Sequence, residues 1–400
     1  MDGARTRGQA SALAAIATMV RGPAPHAVLL VGPDGVGKTT LAIDLAAGLL
    51  CTAAVPDRPC RVCRACHLVD SGNHPDLHRL GPVGPGRQVV IGGPDAKYRG
   101  VKDLLTELQL MPVEGGPRVA IIEGADRMNE DAQSAILKTL EEPPAGVTIV
   151  LCADQEARLL PTVRSRCFRV RLGFVGARDI ESILADHGLA DPPTAARLGR
   201  LAGGRPGLAL AFARAPAAVL IRAELTRVLL DLTDARPSAR LAAARAAVPR
   251  AIALSAALAA PDPGAAPRAA RRRGAKTDPV STPAVPAPTG DDEPAPPGDE
   301  EVTPMKTPAA ERRLGVEILL GLWAGVTRDL VLVGAGGTRS VNDTVLLEEL
   351  TAIASAIAPG SAATFLERTA RAAELLAGNV SPELVLDSLV LAWPPRVEAA

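Results

Sequence analysis

The segment Gly32-Pro33-Asp34-Gly35-Val36-Gly37-Lys38-Thr39 follows the apolar run Ala27-Val28-Leu29-Leu30-Val31 and leads into Leu41, Leu45 and Leu49 at helical spacing. It satisfies G-x-x-x-x-G-K-[ST] at every position, in the strand–loop–helix context the motif requires. Glycines let such a loop curl until its N–H groups converge on phosphate oxygens, and the following helix offers its positive end to the same anion. Lys38 is placed to reach the β- and γ-phosphates, and the Thr39 hydroxyl to ligate Mg²⁺. Gly32, Pro33, Asp34, Gly35, Val36, Gly37, Lys38, Thr39 and Thr40 are therefore the candidate nucleotide-binding residues. A nucleoside triphosphate with Mg²⁺ is the expected ligand.

A chain of 400 residues is too long for one ordinary core, so two or three domains are expected. Apolar residues make up 47% but aromatics only 2%, so the core must be built from Ala, Leu and Val. With 44 basic and 44 acidic residues, no overall field favours nucleic acid. No uninterrupted run of about 18 apolar residues suggests a membrane span. Residues 1–9 are polar, unlike the apolar part of a signal peptide, so a cytoplasmic protein is expected.

Periodicity predicts a first helix over Gln9–Val20, then the P-loop helix to about Leu50. A short strand is expected at Gln88–Ile91, a helix on Val101, Leu104, Leu105 and Leu108, and a fully buried strand at Val119–Ile122. A helix over Asn129–Glu142 turns Ala132, Ala135, Ile136 and Leu140 inward and ends at Pro143-Pro144. Strands follow at Val147–Leu151 and Cys167–Val170. Strands alternating with helices imply an α/β fold, a parallel sheet with helices on both faces. After about Leu172 only helices are expected, with breaks near Arg236-Pro237 and at Pro249. Pro261–Pro308 is rich in Pro, Ala and charge, including Arg271-Arg272-Arg273 and Asp291-Asp292-Glu293; it holds too few large apolar residues to offset the entropy of ordering. From Glu311 to Ala392 the periodicity returns in about four helices.

Four cysteines, Cys51-x8-Cys60-x2-Cys63-x2-Cys66, lie within sixteen residues. Zn²⁺ takes four thiolates tetrahedrally, and two-residue spacers let neighbouring thiolates converge on one ion. Arg58, Arg61 and Arg64 would offset the charge of the site. Four protein ligands leave no open position, which makes the zinc structural; a redox C-x-x-C is the rival reading. Cys152 and Cys167 fall in predicted strands and read as buried thiols.

The P-loop and the cysteine spacing are joined by Gly8-Gln9, by Leu137-Lys138-Thr139-Leu140-Glu141-Glu142-Pro143-Pro144, and by Leu159-Leu160-Pro161-Thr162-Val163-Arg164-Ser165-Arg166-Cys167. Together they resemble the AAA+ subunits of bacterial DNA polymerase III clamp loaders. The resemblance covers residues 5–212, and more weakly Leu375–Leu384. It implies an AAA+ core, a helical lid and a helical collar through which five subunits assemble; joined to the readings above, the expected domains are 1–172 with the zinc module, 173–260 as lid and following helices, 261–310 as disordered linker and 311–400 as collar. Implied partners are the gamma/tau and delta subunits, the sliding clamp and, through the complex, primer-template DNA.

Within that group, a hydrolysing member ends its Walker B strand in Asp-Glu, whereas this strand ends Ile121-Ile122-Glu123-Gly124. Glu123 is a candidate Mg²⁺ ligand one methylene longer than Asp, and Gly124 has no side chain to activate water. Asp126 lies beyond the position of the base. Cys152-Ala153-Asp154 stands where the resemblance calls for a Ser or Thr sensor, and Gly207-Leu208 lacks the lid's sensor arginine. Ser165-Arg166-Cys167 is intact, and the resemblance makes Arg166 a finger directed at a neighbour's γ-phosphate. This combination resembles the delta-prime type: ATP binding, weak or absent hydrolysis, and catalysis contributed in trans. The alternatives are an active gamma/tau-type ATPase and a non-replicative AAA+ scaffold.

Overall fold

The computed structural model describes residues 3–84, 87–94, 96–259, 308–378 and 380–397. Five strands form one parallel sheet: β1 (Ala27–Val31), β2 (Leu77–Leu80), β3 (Arg118–Ile122), β4 (Val147–Ala153) and β5 (Phe168–Arg171), in the order β2-β3-β4-β1-β5. The register aligns Val28 with Val150 on one side and Phe168 on the other, and Val119 with Thr148. Successive strand residues face opposite sides, so the apolar runs feed two cores. Val28, Leu30, Val119, Ile121 and Val150 pack under helices α1 (Ala10–Arg21) and α2 (Lys38–Leu50). Leu29, Ala120, Ile122, Ile149 and Leu151 pack under α4 (Val101–Glu107) and α5 (Glu130–Glu141); a short helix, α3 (Arg64–Asp70), follows the cysteine loop.

Asn129 starts α5 by accepting the Ala132 N–H at 3.0 Å, as Asn does at an N-cap. Ala132, Ile136 and Leu140 are buried as the spacing predicts, while Ala135 is half-buried. The expected strand at Gln88–Ile91 does not form. Only isolated bridges occur there, Val83 with Gln88 and Val89 with Met128. The sheet edge is instead β2, Leu-His-Arg-Leu, with only its two leucines buried. An edge strand leaves positions open to solvent, so His78 and Arg79 disguised it as a loop.

After α6 (Pro161–Ser165) and β5, the described residues are helical or irregular: α7 (Ala177–Asp186), α8 (Pro192–Leu201), α9 (Pro206–Arg214), α10 (Pro216–Asp231) and α11 (Pro237–Ala259). The break expected at Pro249 is absent, and α11 runs through it. Burial of Ala244, Ala247, Ala251 and Leu254 outweighs the hydrogen bond that proline cannot donate. This helix is long and apolar enough to cross a bilayer, yet it packs against α10 and against two later helices, Ala309–Gly334 and Pro382–Leu391, and carries Arg240, Arg245 and Arg250. The C-terminal helices are α12 (Ala309–Gly334), α13 (Leu347–Ala356), α14 (Ser361–Ala377) and α15 (Pro382–Leu391). Both tryptophans lie in this region: Phe365 meets Trp393 edge-on at 4.7 Å, and buried Trp323 donates to the Leu225 carbonyl at 3.1 Å. Residues 260–307, and with them nearly all of the expected linker, lie outside the described residues.

Candidate nucleotide site and cysteine centre

The C-terminal ends of β1, β3 and β4 meet at one edge of the sheet, where open α/β sheets bind ligands. β1 delivers the glycine loop, β3 delivers Glu123 and β4 delivers Asp154. Gly37, at φ 103°, is a backbone position that only glycine adopts readily. It turns the chain into α2. The Lys38 ammonium, nearly buried, donates to the carbonyls of Gly32 at 2.8 Å and Pro33 at 2.7 Å and pairs with Asp154 at 2.7 Å. A cavity of about 800 Å³ opens over the loop; Asp34, Gly35, Val36, Gly37, Lys38, Thr39 and Thr40 line it. That volume suits a nucleotide-sized ligand. Gly32 and Pro33 face Lys38 through their carbonyls.

On the opposite wall, position 124 carries no side chain. Gly124, next in line after Glu123, adopts φ 62°, and a Cβ there would meet Pro82 Cγ at 2.9 Å. Backbone and neighbour together leave no room for a base at that position. Asp126 is occupied elsewhere: its carboxylate accepts the N–H groups of Asp154 at 3.1 Å and Gln155 at 3.3 Å and shapes the turn after β4. From the helical side the cavity is closed by Ile183, Asp186, His187, Pro206, Gly207 and Leu210. The Gly207 N–H donates to Gly35 O at 2.8 Å, pinning α9 against the P-loop. Arg205 packs beside Gly35, its Nε donating to Ala202 O at 3.1 Å.

Glu123 divides its carboxylate. Oε2 accepts from the Thr39 hydroxyl at 3.3 Å, and Oε1 pairs with Arg79 at 2.6 Å. The Thr39 and Glu123 oxygens fit a Mg²⁺ that takes its remaining oxygens from phosphates and water. Arg79 already neutralises much of the carboxylate charge the ion would feel. When bound, Mg²⁺ would supply charge neutralisation at the phosphates.

Arg166 caps the C-terminus of α6, two residues before β5, whereas the cavity lies beyond the C-terminal ends of the strands. A strand rising about 3.3 Å per residue puts the two on the order of 15 Å apart. Its guanidinium is partly exposed and pairs with Glu141 at 2.6 Å, with a second bond to Thr162 O at 2.9 Å. The leucine–lysine–glutamate–proline segment and the Ser-Arg-Cys segment thus touch through this pair.

Cys51 caps the C-terminus of α2, and the loop returns to it. Sγ of Cys51 lies 3.5 Å from that of Cys60 and 3.9 Å from that of Cys63, and all four sulfurs fall within 4.8 Å of one another. Tetrahedral zinc at about 2.3 Å from each sulfur separates its ligands by about 3.8 Å, so the donor set fits. Burial opposes the Cys63 thiolate, but N–H donation from Cys66 and Thr52 brings its pKa to about 5. N–H groups of Val62 and Cys63 lower Cys60, while burial raises Cys51 and Cys66. Elemental analysis of the purified chain is expected to give about one zinc, against none for Cys63→Ser; a metal-free native chain would contradict the zinc site. Cys152 is a different thiol, pushed by burial up to about 12, as is Cys167, pushed up to about 11.

Residue patterns gave no sign of Arg79, Arg127 or the Lys38–Asp154 pair, nor of Arg5, Thr6 and Arg7 as cavity wall. Arg79 was hidden in the unrecognised β2. Gln9 carried a signal through Gly8-Gln9: it donates to Gly173 O at 2.7 Å and Val36 O at 3.4 Å, stapling the N-terminal segment to the P-loop.

Residues 8–175 match the family described as "DNA polymerase III, delta subunit". DNA polymerase III subunit delta' of Pseudomonas aeruginosa is 37% identical over 183 residues, 45% of this chain and 53% of that protein. The Bacillus subtilis subunit delta' is 34% identical over 173 residues, 43% of this chain and 49% of that protein. Subunit tau of Escherichia coli is 32% identical over 196 residues, 48% of this chain and 29% of that protein. The chain spans about half the length of the delta' relatives it matches.

Proposed function

We propose, on the premise that residues 8–175 make this chain a delta-prime-type member of the DNA polymerase III clamp-loader family, that it is the nucleotide-holding but non-firing subunit of a sliding-clamp loader. It binds ATP in the Gly32–Thr40 cradle and hydrolyses it weakly or not at all. Arg166 reaches the γ-phosphate held by a neighbouring subunit. Its partners are gamma/tau and delta in a hetero-pentamer, the sliding clamp and, through the assembled complex, primer-template DNA. The cysteine centre holds a structural zinc. The helices from α7 to α11 act as lid and following helices, and those from α12 onward as collar. Such work takes place on chromosomal DNA in the bacterial cytoplasm.

One observation carries the reading: a complete phosphate cradle around Lys38 faces Gly124, a base position with neither side chain nor space for one. An in-trans role for Arg166 agrees with its place just before the N-terminal end of β5, away from the chain's own cavity. An active gamma/tau-type ATPase has the Thr39–Glu123 approach in its favour, but its base would have to come from a position other than 124.

The test is to measure binding and turnover separately on the full chain. A fluorescent ATP analogue is expected to bind without hydrolysis, and chelating Mg²⁺ should weaken binding less than about tenfold, because Arg79 already offsets Glu123. Arg79→Ala should make binding depend more strongly on Mg²⁺. Turnover by the native chain, abolished by Lys38→Ala, would overturn the proposal.

A further inference from the structure

One arginine links the cysteine centre to the wall of the nucleotide cavity. Arg61 sits between Cys60 and Cys63 in the left-handed region, at φ 59°. Its side chain is largely buried and joins three separate elements. It pairs with Asp44 on α2 and, at 2.5 Å, with Asp70 at the end of α3, and its Nε donates to Gly3 O at 2.8 Å. Asp44 is fully buried, and it also accepts the Arg5 N–H at 3.0 Å, the Thr6 N–H at 2.9 Å and the Thr6 hydroxyl at 2.7 Å. Arg5 returns to Asp70 at 2.8 Å. Arg5, Thr6 and Arg7 then line the cavity over the P-loop.

The physical logic runs in one direction. A buried carboxylate is tolerated when it is paired and its lone pairs are filled; here Arg61 supplies the charge and residues 5–6 the remaining donors. Arg61 reaches Asp44 only while the loop holds its backbone in an unfavoured conformation. That loop has little apolar content of its own, with Val62 exposed, and the four sulfurs at its corners are what a metal would fix.

We propose that Arg61 is a positioning residue that makes metal loading of the cysteine centre set nucleotide affinity. With the loop fixed, Arg61 completes Asp44, Asp44 holds residues 5–6, and that segment forms one wall of the nucleotide site. Without metal the loop relaxes, Arg61 leaves, and the wall loosens while the P-loop itself stays folded. This rests on the nucleotide and zinc readings above.

Hydrogen exchange at the Arg5 and Thr6 amides and affinity for a fluorescent ATP analogue test it, using the full chain zinc-loaded and chelator-stripped. Stripping is expected to speed exchange at both amides and weaken the analogue about tenfold, the lower end of what losing a metal-site supporting contact costs. Arg61→Gln should do the same with zinc still bound, and stripping that variant should then change neither readout further. Arg58→Gln, which loses only a bond to Ala53 O in the same loop, should behave as native. If Arg61→Gln does not fold with Asp44 left unpaired, Asp44→Asn with Arg61→Gln removes both charges and serves in its place. Unchanged exchange at Arg5 and Thr6 on stripping, or equal loss of affinity on stripping native and Arg61→Gln chains, overturns the proposal. A native chain that binds no analogue would refute the nucleotide reading, and the exchange measurement would still decide the link through Arg61.

Discussion

Arg166→Ala is expected to leave this chain folded and assembled while slowing ATP hydrolysis at the adjoining site of a reconstituted loader by about 10³-fold or more, the range typical of arginine fingers. The fold should tolerate the change, because the side chain bonds only at the surface, to exposed Glu141 and to Thr162 O, and exposed pairs contribute about 0–1 kcal/mol. The loss should appear in turnover and not in assembly or ATP binding. Arg166→Lys should not rescue it, since an ammonium cannot reproduce the planar two-pronged contact with phosphoryl oxygens. Single-turnover hydrolysis with clamp and primed DNA is the measurement. Because a loader has several sites, the signal is the disappearance of one site's burst and not the overall rate alone. An unchanged burst would remove Arg166 from the reaction.

Lys38→Ala is expected to weaken binding of the fluorescent ATP analogue by about 100-fold. Hydrogen bonds from a charged donor contribute about 1.5–3 kcal/mol each, and 1.4 kcal/mol is tenfold. In the present structure the ammonium is held by Gly32 O, Pro33 O and Asp154. Phosphate binding must exchange some of these contacts, so the native affinity is expected to be modest. Lys38→Met, which keeps the buried stem and removes only the charge, separates lost binding from lost folding. Asp154→Asn should act in the opposite sense and raise affinity, since it frees the lysine. Equal affinity in native and Lys38→Met chains would mean that the loop holds no phosphate.

Much of this was legible along the chain because it rests on local rules. The glycine loop, the two-residue cysteine spacers and the helix over Glu130–Glu141 are each specified by residues close in sequence. So are the buried strands β1, β3 and β4, whose continuous apolar runs are what a sheet covered on both faces requires. The strand β2 was not legible, because an edge strand mixes His78 and Arg79 with two leucines and has no run to detect. Pro249 misled in the other direction: a local rule against proline in helices was overridden by the packing of α11, which no window of a dozen residues contains.

The sequence by itself determined that this chain has a glycine loop of the G-x-x-x-x-G-K-T pattern, a set of four metal-suited thiols and a glycine directly after Glu123 at the end of a buried strand. Those properties depend on residue type and short spacing. Only the tertiary structure decided what those parts are connected to. It brought Arg79 to Glu123 across 44 residues and Asp154 to Lys38 across the sheet, and it carried Arg61 from the cysteine loop to Asp44 beneath the N-terminal segment. Buried charges must find partners wherever the fold places them, and sequence spacing does not encode that pairing. The glycine loop presents its cradle by residue type and short spacing; its neighbours in space decide which charges face that cradle.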